Sequence, residues 1–173
     1  MITKFRFTLF IVLAFVFCST SITAQSSYDS AIGLRLGYPV SVSYKTFLGG
    51  GNNAVEAFAS YRSRNVLSNF GWTSIGVGAG YQVHTPIESV DGLQWYYGGG
   101  AALYFFSYDD GFEGFANEAT LSVGILGFLG LDYAFSGTPV NLSLDWVPAF
   151  SFGGYGSGFG GGQGALAVRY ILD

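Results

Sequence analysis

The chain has 173 residues, 11 acidic and 7 basic, for a formal net charge of −4, and only 10% of its residues are charged. An acidic chain is a poor partner for nucleic acid, and so few charges fall well short of the roughly 25–35% expected of a surface built for water. Half the residues are hydrophobic, 18% are aromatic and 27 are glycine, yet beyond the N-terminal run no apolar stretch approaches the ~20 residues of a spanning helix.

Residues 1–24 read as an export signal. Lys4 and Arg6 are followed by the apolar "FTLFIVLAFVF", and "SITA" offers Ala24 as the small residue before a cut. Cys18 follows the bulky Phe17, which argues against a lipid-attachment site. Residues 25–173 are then expected to form one domain without cysteine. Lys4 and Arg6 leave with the signal, so five basic residues face eleven acidic ones.

From there the period is two, the signature of strands with unlike faces. "AIGLRLGY" sets Ile32, Leu34, Leu36 and Tyr38 against Gly33, Arg35 and Gly37. In "VSVSYKTFL", Val40, Val42 and Tyr44 alternate with Ser41, Ser43 and Lys45. "VEAFASYR" opposes Val55, Ala57, Ala59 and Tyr61 to Glu56, Phe58, Ser60 and Arg62, and "SIGVGAGYQVH" opposes Ile75, Val77, Ala79, Tyr81 and Val83 to glycines, Gln82 and His84. A fifth segment runs from Leu93 to Phe106, and a sixth keeps Leu121 in phase with Phe135. The seventh is "NLSLDWVPAF" from Val140 on, in which Asp145 interrupts an apolar series, and "ALAVRYIL" is the eighth. The chain is expected to be all-β: an eight-stranded antiparallel transmembrane β-barrel, wound as an up-and-down meander.

The links alternate in character. "SRNVLSNFG", "SYDDGFEGFAN" and "FGGYGSGFGGGQG" read as outer loops, while "GGGNN", "TPIESVDG" and "SGTP" read as short periplasmic turns. The tight "GYP" is the exception among the outer links. A soluble barrel would show the same alternation with its apolar face inward. Here the other face is crowded with Gly, Ala and Ser, as suits a narrow lumen. Tyr81, Trp95, Tyr97, Tyr133 and Tyr170 fall on the apolar face near the periplasmic ends, as an interfacial girdle requires.

The stretches "GLRLGYPVSVSYKTFL" and "GLDYAFSGTPVNLSLDWVPAF" resemble the small outer-membrane β-barrel proteins of Bacteroidota-type bacteria, similar in architecture to the OmpX and OmpA membrane domains. The resemblance implies an outer-membrane address, contact with membrane lipids and lipopolysaccharide, and delivery by the barrel-assembly machinery. The family's usual terminal aromatic is replaced by "RYILD".

On the inward parity stand Arg35, Lys45, Glu56, Asp132, Asp145 and Arg169. An eight-stranded barrel is just wide enough for its side chains to fill, so these six are expected to form a lumenal ion-pair network of structural role. A hairpin closed by "SGTP" puts Gly130 opposite Asp145, and Arg169 is expected level with Ser143. That predicts Asp132, Asp145, Arg35 and Arg169 clustered in the periplasmic half. Phe58, Tyr96, Tyr104, Phe106 and Phe128 share the inner parity and should fill the remainder.

No catalytic, cofactor-binding or metal-ligating constellation emerges. His84 falls near the periplasmic rim without a local nucleophile. "GSGFGG" matches G-x-G-x-x-G but lies in a predicted loop rather than a strand–helix turn. The acidic loop of Asp109, Asp110, Glu113 and Glu118 lacks calcium-loop spacing. The expectation is a monomeric, non-enzymatic envelope protein acting through its outer loops, with a lipid A-modifying enzyme and a narrow transporter as the other readings.

Overall fold

In the computed structural model the described residues are 28–37, 39–67, 70–108, 120–153, 157–160 and 164–172. They form ten strand segments: β1 Ser30–Gly37, β2 Val40–Phe47, β3 Asn53–Leu67, β4 Phe70–Pro86, β5 Leu93–Tyr108, β6 Thr120–Ala134, β7 Val140–Trp146, β8 Ala149–Phe152, β9 Gly158–Gly160 and β10 Gly164–Ile171. From β1 to β7 each strand pairs antiparallel with the next, β8 pairs with β6 and β9, and β10 pairs with β7 and back onto β1. The result is a closed eight-stave meander barrel.

The ten segments make eight staves because two staves are interrupted. β7 and β8 are one stave broken at Val147–Pro148. Both pair with β6 in a single unshifted register, from Tyr133↔Leu142 to Val123↔Phe152. Proline cannot donate to a ladder, but its carbonyl still accepts from Gly127 N at 2.8 Å. β9 and β10 together make the eighth stave.

Following paired residues around the ring fixes the tilt. Ser60 leads to Ser41, Arg35, Ala167, Ser143, Asp132, Gln94 and Pro86. Extending the β3–β4 register sets Pro86 against position 50, ten residues from the start. A stagger of ten residues, roughly 33 Å, over eight spacings of about 4.8 Å gives a strand tilt of about 41°.

The faces follow the sequence parity. Outward lie large hydrophobics, with Ile125 56% and Leu144 61% exposed, while inward polar residues such as Lys45, Glu56 and Gln82 are fully buried. On β5 the outward apolar series runs from Trp95 to Phe105, ten residue steps, broken only by Gly99 and Ala101. At the tilt above, that spans roughly 25 Å along the barrel axis.

The staves are unequal. The start of β1, the end of β10 and the turns 48–52, 87–92 and 135–139 share one end of the barrel, the turn end. At the other, the loop end, the β1–β2 hairpin stops near Pro39 while β3 and β4 continue to Leu67 and Phe70. The stretch "SRNVLSNFG", expected as a loop, is therefore mostly strand, with pairing from Ser63↔Thr73 to Leu67↔Phe70. Likewise the expected loop "GSGFGG" contributes β9, paired with Ala149–Ser151. The acidic loop residues Asp109, Asp110, Glu113 and Glu118, and Tyr38, expected on the apolar face, lie outside the described residues.

Candidate functional site: a layered lumen

The lumen is layered along its axis. At the turn end, Tyr28, Ala31, Phe47, Ala54, Ala134 and Ile171 form an apolar plug. Tyr28 and Phe47 meet edge to face at 5.0 Å. Above this plug lies the polar layer, and above that a second apolar cluster built on Leu126, Phe128, Val147 and Ala149.

The polar layer contains all six residues expected in the lumen, and the structure joins them into one network. Arg35 Nη2 reaches both carboxylate oxygens of Asp145 at 2.9 Å, and its Nη1 lies 3.2 Å from Glu56. Arg169 donates to Glu56 at 2.5 Å and lies 3.9 Å from Asp132. Lys45 donates to Asp132 at 3.0 Å and stands over the Tyr96 ring at 4.5 Å. Three cations meet three carboxylates, all buried.

Every one of these ion pairs joins staves that are not neighbours. β1 reaches β7 and β3, β2 reaches β6 directly across the ring, and β10 reaches β3 and β6. Backbone ladders tie each stave to the next, whereas the ion pairs act as struts through the lumen. Desolvating six charges is costly, and such a network holds only when its remaining donors and acceptors are also satisfied. Neutral partners satisfy most of these, Arg35 Nη1 excepted. Asp132 accepts from Tyr28 at 3.1 Å and Asn141 at 2.7 Å, Asp145 from Tyr96 at 2.7 Å, and Glu56 from Gln82 at 2.8 Å. Arg169 also donates to Ser43 and Ser143.

One expected contact differs. Asp145 faces Gly130 and Asp132 faces Ser143, as the tight hairpin requires. Arg169, however, pairs with Asn141 rather than lying level with Ser143. β10 is offset by two residues from the expected position, so Asp145 takes Arg35 and Arg169 takes Glu56. Asp132 and Arg169 still approach through their long-range contact. Gly130 leaves the room that Asp145 and Tyr96 occupy, since a Cβ there would meet both at 2.8 Å.

His84 lies deeper than the rim position expected of it, because Tyr28 and Phe47 close the turn end beneath it. It is 1% exposed and stacks on Tyr96 at 4.8 Å. Its ring nitrogens face Gln94 at 3.1 Å and Gln82 at 3.3 Å. The glutamines, Asn141 and Tyr28 were not singled out from the sequence. Inward parity was the available signal for the strand residues, whereas Tyr28 precedes the first strand and carries none. Among the described residues no group of His, Cys, Asp and Glu is placed to hold a metal ion.

The expected inner aromatics fill space in a specific way. Cβ atoms added at Gly76, Gly78 and Gly80 would collide with the rings of Tyr104, Phe58 and Phe128 respectively. Three glycines on one face of β4 thus provide the seats for three rings. Toward the loop end these rings leave a small chamber of about 40 Å³, bordered by Arg35, Ser41, Ser60 and Tyr104. Phe106 shares this inner parity and is partly buried farther along β5.

No family model matches this chain, and no curated protein or solved structure is significantly similar to it, so its geometry carries the functional reading.

Proposed function

We propose that the protein is an integral outer-membrane barrel, exported by its N-terminal signal, that serves envelope structure or surface interaction rather than catalysis. The observation that carries this reading is the exterior: a closed ring whose outward face is apolar, over roughly 25 Å along the axis on β5. That height matches the apolar band of outer-membrane barrels, and closure leaves no open strand edge in the hydrocarbon. Trp95, Tyr97, Tyr133 and Tyr170 stand toward its turn-end margin, and Tyr61, Phe105 and Phe152 toward the other. Outer-membrane lipids and lipopolysaccharide are the partners this surface suits, with the turn end in the periplasm.

The packed lumen supports a structural role over transport. The non-enzymatic reading draws support from His84, whose two ring nitrogens are occupied by glutamines rather than by a nucleophile. Membrane fractionation tests the proposal. The protein should sediment with outer membranes, require detergent for extraction, and run at different gel mobilities before and after heating. Recovery as a detergent-free soluble monomer would overturn it.

A further inference from the structure

The staves end at unequal heights, and this leaves one long strand edge open at the loop end. β2 pairs with β3 only as far as Val40↔Tyr61, whereas β3 continues against β4 to Leu67. Among the described residues no strand lies along the other side of that overhang, and across the gap above the β1–β2 hairpin β9 pairs only with β8. Continuations of β1 and β2 would fill this gap, so it is two strands wide, with its borders about 14 Å apart.

The phase of the ladder decides which groups the edge offers. Leu48 N donates to Asn53 O at 2.7 Å on the β2 side, while His84 N donates to Asn52 O at 2.8 Å on the β4 side. Main-chain groups address alternate sides along a strand, so odd residues of β3 face β2 and even ones face β4. On the overhang Ser63 and Asn65 therefore aim N–H and C=O into the gap, where the β4 ladder makes no use of them. An edge with open donors and acceptors is a template for a further strand.

Charge decides which strand. Of the five basic residues beyond the export signal, Arg35, Lys45 and Arg169 are engaged in the lumen network. The other two, Arg62 and Arg64, both stand on this overhang, and residues 62–74 include no acid. Residues directly opposite on paired strands share a face, so the complementary strand carries carboxylates at alternate positions. We propose that the β3 overhang binds an extended acidic peptide of a partner protein as an added strand, its carboxylates opposite Arg62 and Arg64. A second copy of this chain does not fit. Side-by-side barrels in one membrane, each with strands tilted about 41°, would cross their facing strands at roughly 80°. The outer-membrane reading enters only in placing this edge outside the cell, since Tyr61 below it stands at the loop-end margin of the apolar band.

The test uses the mature protein refolded in detergent, so it does not depend on the membrane address. Hydrogen exchange read by NMR should be fast at the Ser63 and Asn65 amides and slow at those of Arg62 and Arg64. A synthetic octapeptide alternating threonine and glutamate should slow exchange at Ser63 and Asn65. Its affinity, read by fluorescence anisotropy, should fall about tenfold or more when lysine replaces glutamate or when its backbone nitrogens are methylated. Ser63→Pro removes only an N–H that faces the gap; it should leave the heat-unfolding midpoint nearly unchanged and weaken the peptide by a similar factor. Arg64→Glu should turn the preference toward the lysine peptide. Slow exchange at Ser63 and Asn65 without peptide would show the edge already covered by the chain itself and would overturn the proposal. So would the absence of protection at millimolar glutamate peptide, binding indifferent to Ser63→Pro and to methylation, or an unchanged charge preference in Arg64→Glu.

Discussion

The pairing of Asp145 with Arg35 rather than Arg169 gives a direct test of the register. Arg35 Nη2 lies 2.9 Å from both Asp145 oxygens, whereas Arg169 reaches that carboxylate only through Glu56, which it shares with Arg35. Charges about 4 Å apart interact by roughly 4 kcal/mol at an effective dielectric of 20. Leaving one buried partner alone costs about 3–5 kcal/mol. Asp145→Asn should therefore destabilise the barrel by about 3 kcal/mol, including the weakened Tyr96 hydrogen bond. In a double-mutant cycle, Asp145→Asn with Arg35→Met should show a coupling of about 2–3 kcal/mol. The cycle with Arg169→Met should show at most about 1 kcal/mol, arising from the shared Glu56. Urea unfolding in lipid vesicles, read by the fluorescence of the outward Trp95 and Trp146, supplies the measurement. Equal couplings, or a larger one with Arg169, would refute the pairing derived from the β7–β10 register.

Ala101 lies near the middle of the apolar band and Ser107 about 15 Å higher on the same outward face of β5, so Ala101→Arg should cost about 2–4 kcal/mol in vesicles and Ser107→Arg at most about 1 kcal/mol. Equal and negligible costs would show that this face meets water. A side chain at Gly80 would occupy the seat of the Phe128 ring; Gly80→Val should destabilise by about 1–3 kcal/mol, and adding Phe128→Ala should recover part of it on the same unfolding curves. Planar-bilayer recordings of the reconstituted protein should show no sustained conductance, because the turn-end plug and the ion network fill the section in series; stable single-channel steps would contradict that filling.

Strand faces were legible because period-two alternation is local: Leu34 and Arg35 differ in environment whichever strand lies beside them. Stave number followed from the same signal, and the hairpin register from the shortness of "SGTP". What local pattern does not carry is stagger. The eighth stave reaches the seventh through a long link, so nothing near Arg169 sets it opposite Asn141. The ladder around the whole ring does, and with its two-residue offset Asp145 takes Arg35 and Arg169 takes Glu56. Residues 63–67 were read as loop because polar residues interrupt the apolar face there. Pairing with β4 makes them strand regardless, since a hairpin rising beyond its neighbours needs no continuous apolar series.

The distribution of charge over the staves bears on how the ring closes. The three cations stand on β10, β1 and β2, which are contiguous across the seam between the last strand and the first. The three carboxylates stand on β3, β6 and β7, on the facing and flanking walls. Hairpin formation alone brings Lys45 beside Glu56 on paired strands, but in the closed barrel Lys45 turns across the lumen to Asp132 instead. Arg35 and Arg169, far apart in sequence, come onto adjacent staves only when β1 meets β10. Their like charges then sit side by side and are relieved only by Glu56, Asp132 and Asp145 reaching in from the other staves. A misregistered seam would move a guanidinium away from its carboxylate and leave a charge buried without its partner, at a cost comparable to a large part of a domain's net stability. The ion network thus penalises wrong closures of the seam, where the connecting chain is longest and the backbone ladder, being the same for every register, discriminates least.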